Sequence, residues 1–239
     1  MATQLGPAVQ ISAQDLYTFS TTQQHVLGEK VFSPDGRAFR YVKAGAVALV
    51  PGNVLQGPAL NAAHVDSTPS AVSAVGDTTI TTSAITVTAN QYAGGYLVVE
   101  KGTTGSGQCL LIKSHPASTA APCVITLSDP FQVATSGTIT IDLIANQYNG
   151  VVVTPATATA NIVGVAVGAI PAASFGWIAT RGIAAVLNGG GVPAATTNVG
   201  AGTTSAGAVI ADSATLCHMG TLAKTAIAAQ NTPVFLTLD

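Results

Sequence analysis

Four histidines (His25, His64, His115, His218), three cysteines (Cys109, Cys123, Cys217) and two glutamates (Glu29, Glu100) are the side chains of this protein best suited to proton transfer, nucleophilic attack or metal binding. Their spacing organises none of these chemistries. No C-x-x-C or H-x-x-x-H pair is present, and in Cys217-His218-Met219 the side chains would alternate across a strand instead of converging on one ion. His64 and Asp66, two apart, could share a strand face. There is no G-x-S-x-G nucleophile elbow, and few carboxylates are available to pair for glycoside hydrolysis. Gly102-Thr103-Thr104-Gly105-Ser106-Gly107-Gln108-Cys109 has the glycine spacing of a phosphate loop. Gln108 stands where a lysine would reach the phosphates, however, Cys109 stands where a hydroxyl would hold magnesium, and strand follows where a helix should begin. The expectation is a hairpin loop, in a protein that is no enzyme and uses no cofactor or metal.

Binding is the remaining chemistry, and one hairpin concentrates the means for it. Val31-Phe32, the turn Ser33-Pro34-Asp35-Gly36, and the return strand Arg37 to Lys43 hold half of the basic residues: Lys30, Arg37, Arg40 and Lys43. Pro34 presets φ for the turn, Asp35 can bond its own backbone, and Gly36 takes the left-handed position. Strand alternation puts Arg37, Phe39, Tyr41 and Lys43 on one face and Ala38, Arg40 and Val42 on the other. Lys30, Arg37, Phe39, Arg40, Tyr41 and Lys43 are therefore the candidate contact residues toward an acidic partner surface, against the plainer reading of a solvated rim.

The chain around this hairpin reads as mainly β, expected as antiparallel β-sandwich or barrel domains. Thr78 to Thr82, Ile85 to Thr88, Tyr96 to Glu100, Cys109 to Lys113, Val124 to Leu127 and Thr138 to Ile144 are β-branched runs separated by Gly, Pro, Asn and Asp turns. Further runs cover 161–168, 175–187 and 232–238. Ala223 to Ala229 has the composition of a helix, but its Thr, Val and Gly surroundings favour strand. The pattern A-N-Q-Y-x-G occurs at 89–94 and again at 145–150, too few copies for a repeat array. Residues 1–25, rich in Gln, Ser and Thr, read as an extended arm. The expected division is 1–60 for arm and hairpin, 61–155 for a β domain, and 156–239 for a C-terminal β domain packed on it.

Only 8% of the 239 residues are charged, against roughly a quarter in an ordinary soluble domain. A net charge of −2 with no basic tail argues against nucleic acid as partner. Three cysteines are too few and too irregular for a disulfide framework and fit a reducing compartment, and the N-terminus lacks the basic and apolar regions of a secretory signal. The uncharged stretch from Leu143 to Ala179 is broken by Pro155, Asn161 and Pro171, so no membrane span is expected. Sparse charge and abundant small residues instead favour self-association into a closed homo-oligomer, with dimer and trimer both open.

His25-Val26-Leu27-Gly28 through the Ser33-Pro34-Asp35-Gly36 turn to Ala44-Gly45, and on through Leu49-Val50-Pro51-Gly52-Asn53-Val54-Leu55-Gln56, resembles the N-terminal region of tailed-bacteriophage capsid decoration, or cement, proteins. Gly95-Tyr96-Leu97, Gly176-Trp177-Ile178-Ala179-Thr180-Arg181-Gly182 with Ala185-Val186-Leu187, and the terminal Pro233 to Leu238 extend the likeness over most of the chain. The resemblance implies a virion structural protein, assembled in the host cytoplasm, that binds the outside of an icosahedral head and bridges major capsid protein subunits. It favours a trimer over a dimer. The alternative is a β-rich head-fibre or tail protein that binds a host receptor or glycan, with Tyr92, Tyr96, Tyr148 and Trp177 as stacking residues.

Overall fold

The computed structural model describes residues 10–191, 193–202, 204–213 and 216–239. The protein is almost wholly β, as its composition dictates. In chain order the strands are β1 (Lys30–Phe32), β2 (Ala38–Ala44), β3 (Val54–Gln56), β4 (Thr79–Val87), β5 (Tyr96–Lys101), β6 (Cys109–Ser114), β7 (Ser118–Leu127), β8 (Thr140–Ile144), β9 (Asn149–Val153), β10 (Ile162–Ala166), β11 (Phe175–Leu187), β12 (Asn198–Ala201), β13 (Val209–Ala211), β14 (His218–Leu222) and β15 (Asn231–Thr237). Single 3-10 turns at Asp15–Tyr17 and Ala62–His64 are the helical elements among the described residues. None of these is long and apolar enough to cross a membrane.

The chain forms two compact units, and they do not follow the three-segment division expected from the sequence. Met1–Pro58 joins Gln147–Asp239 in one discontinuous unit, and Ala59–Asn146 is a second unit inserted between them. Residues 147–155, expected in the middle domain, return to the first unit, where β9 lies between β2 and β3.

In the first unit the pairings β2–β9, β9–β3, β3–β10, β10–β11 and β11–β2 run in a closed ring. One core cluster draws on all five ring strands, through Val42, Leu55, Val163, Ile178 and Val151. A larger cluster lies on the other face of β2 and β11. It joins Phe39, Tyr41 and Trp177 to Val199, Val209, Met219, Leu222, Val234 and Leu236 from the sheet extension β15-β14-β12-β13. Each such fully buried apolar side chain contributes about 1.5–3 kcal/mol relative to exposure.

Strand β11 serves both layers, because its register shifts between Ala179 and Arg181, where Gly182 adopts φ +85°. Before the shift, odd-numbered residues such as Trp177 face the larger core. After it, Val186 does, and Ile183 and Ala185 turn outward. One extra residue exchanges the faces of a strand, which is how a continuous apolar run comes to expose half of itself.

The second unit is an antiparallel sheet in the order β4-β7-β6-β5-β8. Between its edges runs Ser67 to Ser70: Ser67 exchanges backbone bonds with Ile141 of β8 at 3.0 and 2.9 Å, and Ser70 N–H donates to Thr81 of β4 at 2.8 Å. Ile80, Leu97, Val99, Leu110, Ile112, Ile125, Ile141 and Leu143 alternate inward to fill the core. The two half-buried strands expected at 78–82 and 85–88 are one bulged strand, β4. Ala223 to Ala229 is neither helix nor strand but an irregular connection, with a turn at 228–229, between β14 and β15.

The arm also differs from expectation. Residues 1–9 lie outside the described residues. From Gln10 onward the chain is bound to its own unit: Gln10 bridges Phe32, Ser20 bridges Phe175, and Ile11 and Leu16 enter the larger core.

Candidate functional site

The hairpin forms as its sequence dictates. Gly36 N–H donates to the Ser33 carbonyl at 2.9 Å with Gly36 at φ +84°, and the Asp35 carboxylate accepts from Ser33 Oγ and from Arg37 N–H. Its proposed contact residues, however, are largely engaged within the chain. Phe39 is 0% exposed and Tyr41 3%, so neither can meet a partner. The reason is that β2 pairs with β1, β9 and β11 and is covered on both faces, which a hairpin seen alone cannot reveal.

The four basic residues each lie over an aromatic ring. Lys30 is 5.3 Å from the Phe32 centroid, Arg37 5.4 Å from Phe39, Arg40 5.4 Å from Tyr148 and Lys43 5.6 Å from Phe175. Three also have carboxylate partners. Arg37 bonds Asp35 at 2.7 Å; Arg40 grips Asp239 at 2.9 and 2.7 Å and donates to the Gly28 carbonyl; Lys30 lies 3.8 Å from the same Asp239. The Arg40 hydrogen bonds hold the Asp239 carboxyl below its ordinary range, against the opposing effect of burial. The basic hairpin is thus tied to the C-terminus of its own chain.

What the structure assembles beside the hairpin is an aromatic pocket that the sequence did not disclose. The register of β2 and β11 sets Tyr41 opposite Trp177 and Lys43 opposite Phe175. Tyr41 and Trp177 have centroids 5.0 Å apart, Tyr41 and Phe175 stack at 6.0 Å, and His25 meets both Tyr41 and Trp177 edge-on at 5.1 Å. The segment from Gln10 to His25 walls the other side and leaves a cavity of about 260 Å³, with Phe19 and Asp15 on its lining. Gln24 N–H donates to the Tyr41 hydroxyl at 3.1 Å and fixes that wall. The signal in the sequence is that Ile11, Leu16, Tyr17, Phe19 and His25 interrupt a stretch otherwise rich in Gln, Ser and Thr.

A second surface feature lies on β11 and β15. Ile183 and Phe235 are direct register partners and are 44% and 52% exposed. Ile183 also borders a shallow groove of about 380 Å³ with Tyr17, Pro51, Ala185 and Pro233. The result is an apolar strip whose groove is also lined by Arg37 and which is flanked by Arg181.

Of the remaining candidates, His64, His115 and Cys123 gather around Tyr92, and Cys109 stands apart from them on β6. The glycine-rich loop at 102–108 joins β5 to β6 as a hairpin loop, and Gln108, in the position of a phosphate-binding lysine, instead bonds the Gly105 carbonyl and the backbone of Gln132 and Val133. His64 and Asp66 do not share a face: His64 is buried, and Asp66 is exposed at φ +51°. His64 Nδ1 meets the Tyr92 hydroxyl at 2.5 Å, and Tyr92 N–H donates to His115 Nε2 at 3.0 Å. The hydrogen of His115 therefore sits on Nδ1, 2.9 Å from the Pro116 carbonyl, with Cys123 Sγ 3.9 Å away. Burial lowers the His64 pKa, opposed by a hydrogen bond to the Thr86 carbonyl and aided by His115, and burial raises Tyr92 and Cys123.

Asp66 joins Glu100 and Asp142 in the cluster that could hold a cation, their carboxylate oxygens lying within 4.8 Å of one another. Asp66, close enough to hydrogen-bond a protonated Glu100, raises the Glu100 pKa most, with the negative charges of Asp66 and Asp142 adding to the shift. Cys109 and Cys217 are exposed thiols. His218 pairs with Asp212 at 3.0 Å, and Glu29 lies 3.4 Å from His25.

No family model matches this chain, and neither a curated protein nor a solved structure does.

Proposed function

We propose that the protein is a non-enzymatic virion structural component that decorates the outside of an icosahedral phage head and bridges major capsid protein subunits. The observation that carries the reading is the apolar strip of Tyr17, Ile183 and Phe235 on the first unit. An exposed apolar strip on a chain with so little charge is built for contact with another protein surface. The sequence resemblance names that surface as the capsid, and the paired, ring-bound bases of the hairpin leave the strip as its better candidate contact.

The mechanism is linkage. A subunit that binds only the assembled lattice stabilises it by about 2.7 kcal/mol per site at a hundredfold excess over Kd. Oligomerisation would multiply this through effective concentration. Deleting the whole arm would be a poor test, because Ile11 and Leu16 would leave the core with it. The double variant Ile183→Asp/Phe235→Asp changes only exposed side chains. It is expected to remain folded by circular dichroism and to lose co-sedimentation with decoration-free heads; undiminished occupancy of the heads overturns the reading.

A further inference from the structure

We infer that the outward face of β6, β5 and β8 in the second unit is a two-fold contact through which the protein pairs with a second copy of itself. This goes beyond the capsid reading and does not rest on it, since the apolar strip belongs to the first unit.

The face departs from the rest of its sheet. On β4 the outward positions are Thr79, Thr81, Ser83 and Thr86, hydroxyl side chains that suit water. On β5, β6 and β8 they include Tyr96 and Val98, Cys109 and Leu111, and Ile144. Register makes these one patch: Tyr96 lies directly between Leu111 and Ile144, and Val98 lies beside Cys109. Tyr96 is 47% exposed, Val98, Leu111 and Ile144 are half-buried, and Cys109 is exposed. An apolar patch three strands wide on the outside of a sheet is a surface for protein contact.

Charge selects the occupant. Lys113 lies at one end of the patch, two residues beyond Leu111 on β6, and Asp142 lies at the other, two residues before Ile144 on β8. Because β6 and β8 both run antiparallel to β5, the two steps point in opposite directions and Tyr96 stands midway between the charges. Asp66 and Glu100 join Asp142 at its end, with Lys101 offsetting one of the three negative charges. Neither Lys113 nor any of these carboxylates forms an ion pair among the described residues. A partner of one charge sign would satisfy one end and leave the other bare, whereas a second copy satisfies both. A two-fold axis in the plane of the face, through Tyr96 and perpendicular to the line from Lys113 to Asp142, lays Tyr96 on its own counterpart. The same rotation sets each Lys113 against the acidic end of the other copy, and an isologous contact makes that pairing twice. So small a contact is a weak one, so the dilute chain is monomeric and its three carboxylates simply repel.

Sedimentation equilibrium of the full-length protein at low ionic strength tests the contact. The parent is expected to show a monomer–dimer equilibrium in the high-micromolar range. Lys113→Glu is expected to weaken it about tenfold, as two attractive pairings become repulsive. Asp66→Lys/Glu100→Lys reverses the acidic end, leaves the Asp142 carboxylate to accept from the residue 66 N–H, and is expected to weaken the dimer similarly. Both variants change only exposed side chains and are expected to match the parent by circular dichroism. Mixed in equal amounts they regain both pairings, and the heterodimer is expected to come within about threefold of the parent's affinity. A parent that stays monomeric into the millimolar range, association that Lys113→Glu leaves unchanged, or a mixture no tighter than either variant alone overturns the proposal.

Discussion

The hexapeptide A-N-Q-Y-x-G turns a corner inside the second unit at 89–94 and another at 145–150, where the chain returns to the first. Both final glycines are left-handed, Gly94 at φ +72° and Gly150 at φ +85°, a conformation that explains why glycine recurs there. The tyrosines part company. Tyr92 is 2% exposed and lies in the second core against His64 and His115, whereas Tyr148 lies beneath Arg40 at the edge of the barrel in the first unit. The backbones share only the conformation of that last glycine, for Asn90 is left-handed at φ +58° in a run of turns whereas Asn149 and Gly150 already belong to β9; what packs against each tyrosine decided its work. The same contrast runs through the charges. In the first unit Lys30, Arg37 and Arg40 are matched to Asp35 and Asp239, while in the second Asp66, Asp77, Glu100, Asp129 and Asp142 have only Lys101 and Lys113 to offset them.

The largest single effect is expected at Phe39, which the sequence offers as a surface contact and the structure buries. Phe39→Ala should cost about 3–5 kcal/mol, the range for a fully buried phenylalanine. Phe235→Ala, on the outward face of β15, should stay within about 0.5 kcal/mol. Urea unfolding of the two variants measures the difference. Similar midpoints would mean that β2 is not covered on both faces, and the contact role of Phe39 would reopen.

Phe39 also marks where legibility ended. The turn at 33–36, the β5–β6 hairpin and the β class followed from local chemistry, because Pro, Asp, Gly and β-branched residues constrain their own backbone. The role of Phe39 depended on β11 and β15, some 140 residues or more later in the chain. Arg40 looked free because its partner, Asp239, is 199 residues away. The insertion of 59–146 left no mark either, since a chain that leaves a sheet and returns to it keeps the same β alternation throughout. Of the candidate site, the basic residues were visible; the aromatic pocket arises only when register sets Tyr41 across from Trp177.

Acid should separate the two units. His64, buried and neutral, has a pKa lowered in the native state, so the unfolded chain binds a proton that the folded unit resists. Its contribution is intact above the ordinary imidazole value of about 6.5 and is lost as pH falls below it. Asp239 in the first unit has the opposite linkage. Its carboxyl is lowered by Arg40, so that stability persists through this range and is lost only as pH falls below the ordinary carboxylate value of about 4. Hydrogen–deuterium exchange, corrected for intrinsic rates, should therefore show protection falling first in residues 80–127 between pH 6.5 and 5, with β2 and β11 unchanged. His64→Gln should flatten that pH slope. A simultaneous loss in both units would show that the His64–Tyr92–His115 cluster does not set the acid response.

The smallest expected effect tests the unbalanced charge of the second unit. Asp66 and Asp142 raise the Glu100 pKa, so the charged form of Glu100 is disfavoured in the fold and its repulsion is greatest at neutral pH, where all three carboxylates are ionised. Glu100→Gln should therefore raise the thermal midpoint slightly at pH 7. The gain should shrink toward pH 4, as Glu100 takes up its proton in the parent protein, and should fall with added salt, because the cluster is solvent-exposed and screened. Arg37→Gln in the first unit, which breaks an exposed pair of opposite charges, should move the midpoint the other way under the same conditions. Scanning calorimetry of both variants across pH and salt reads the two signs, and a destabilising Glu100→Gln would mean that the three carboxylates are held together by something other than their backbones.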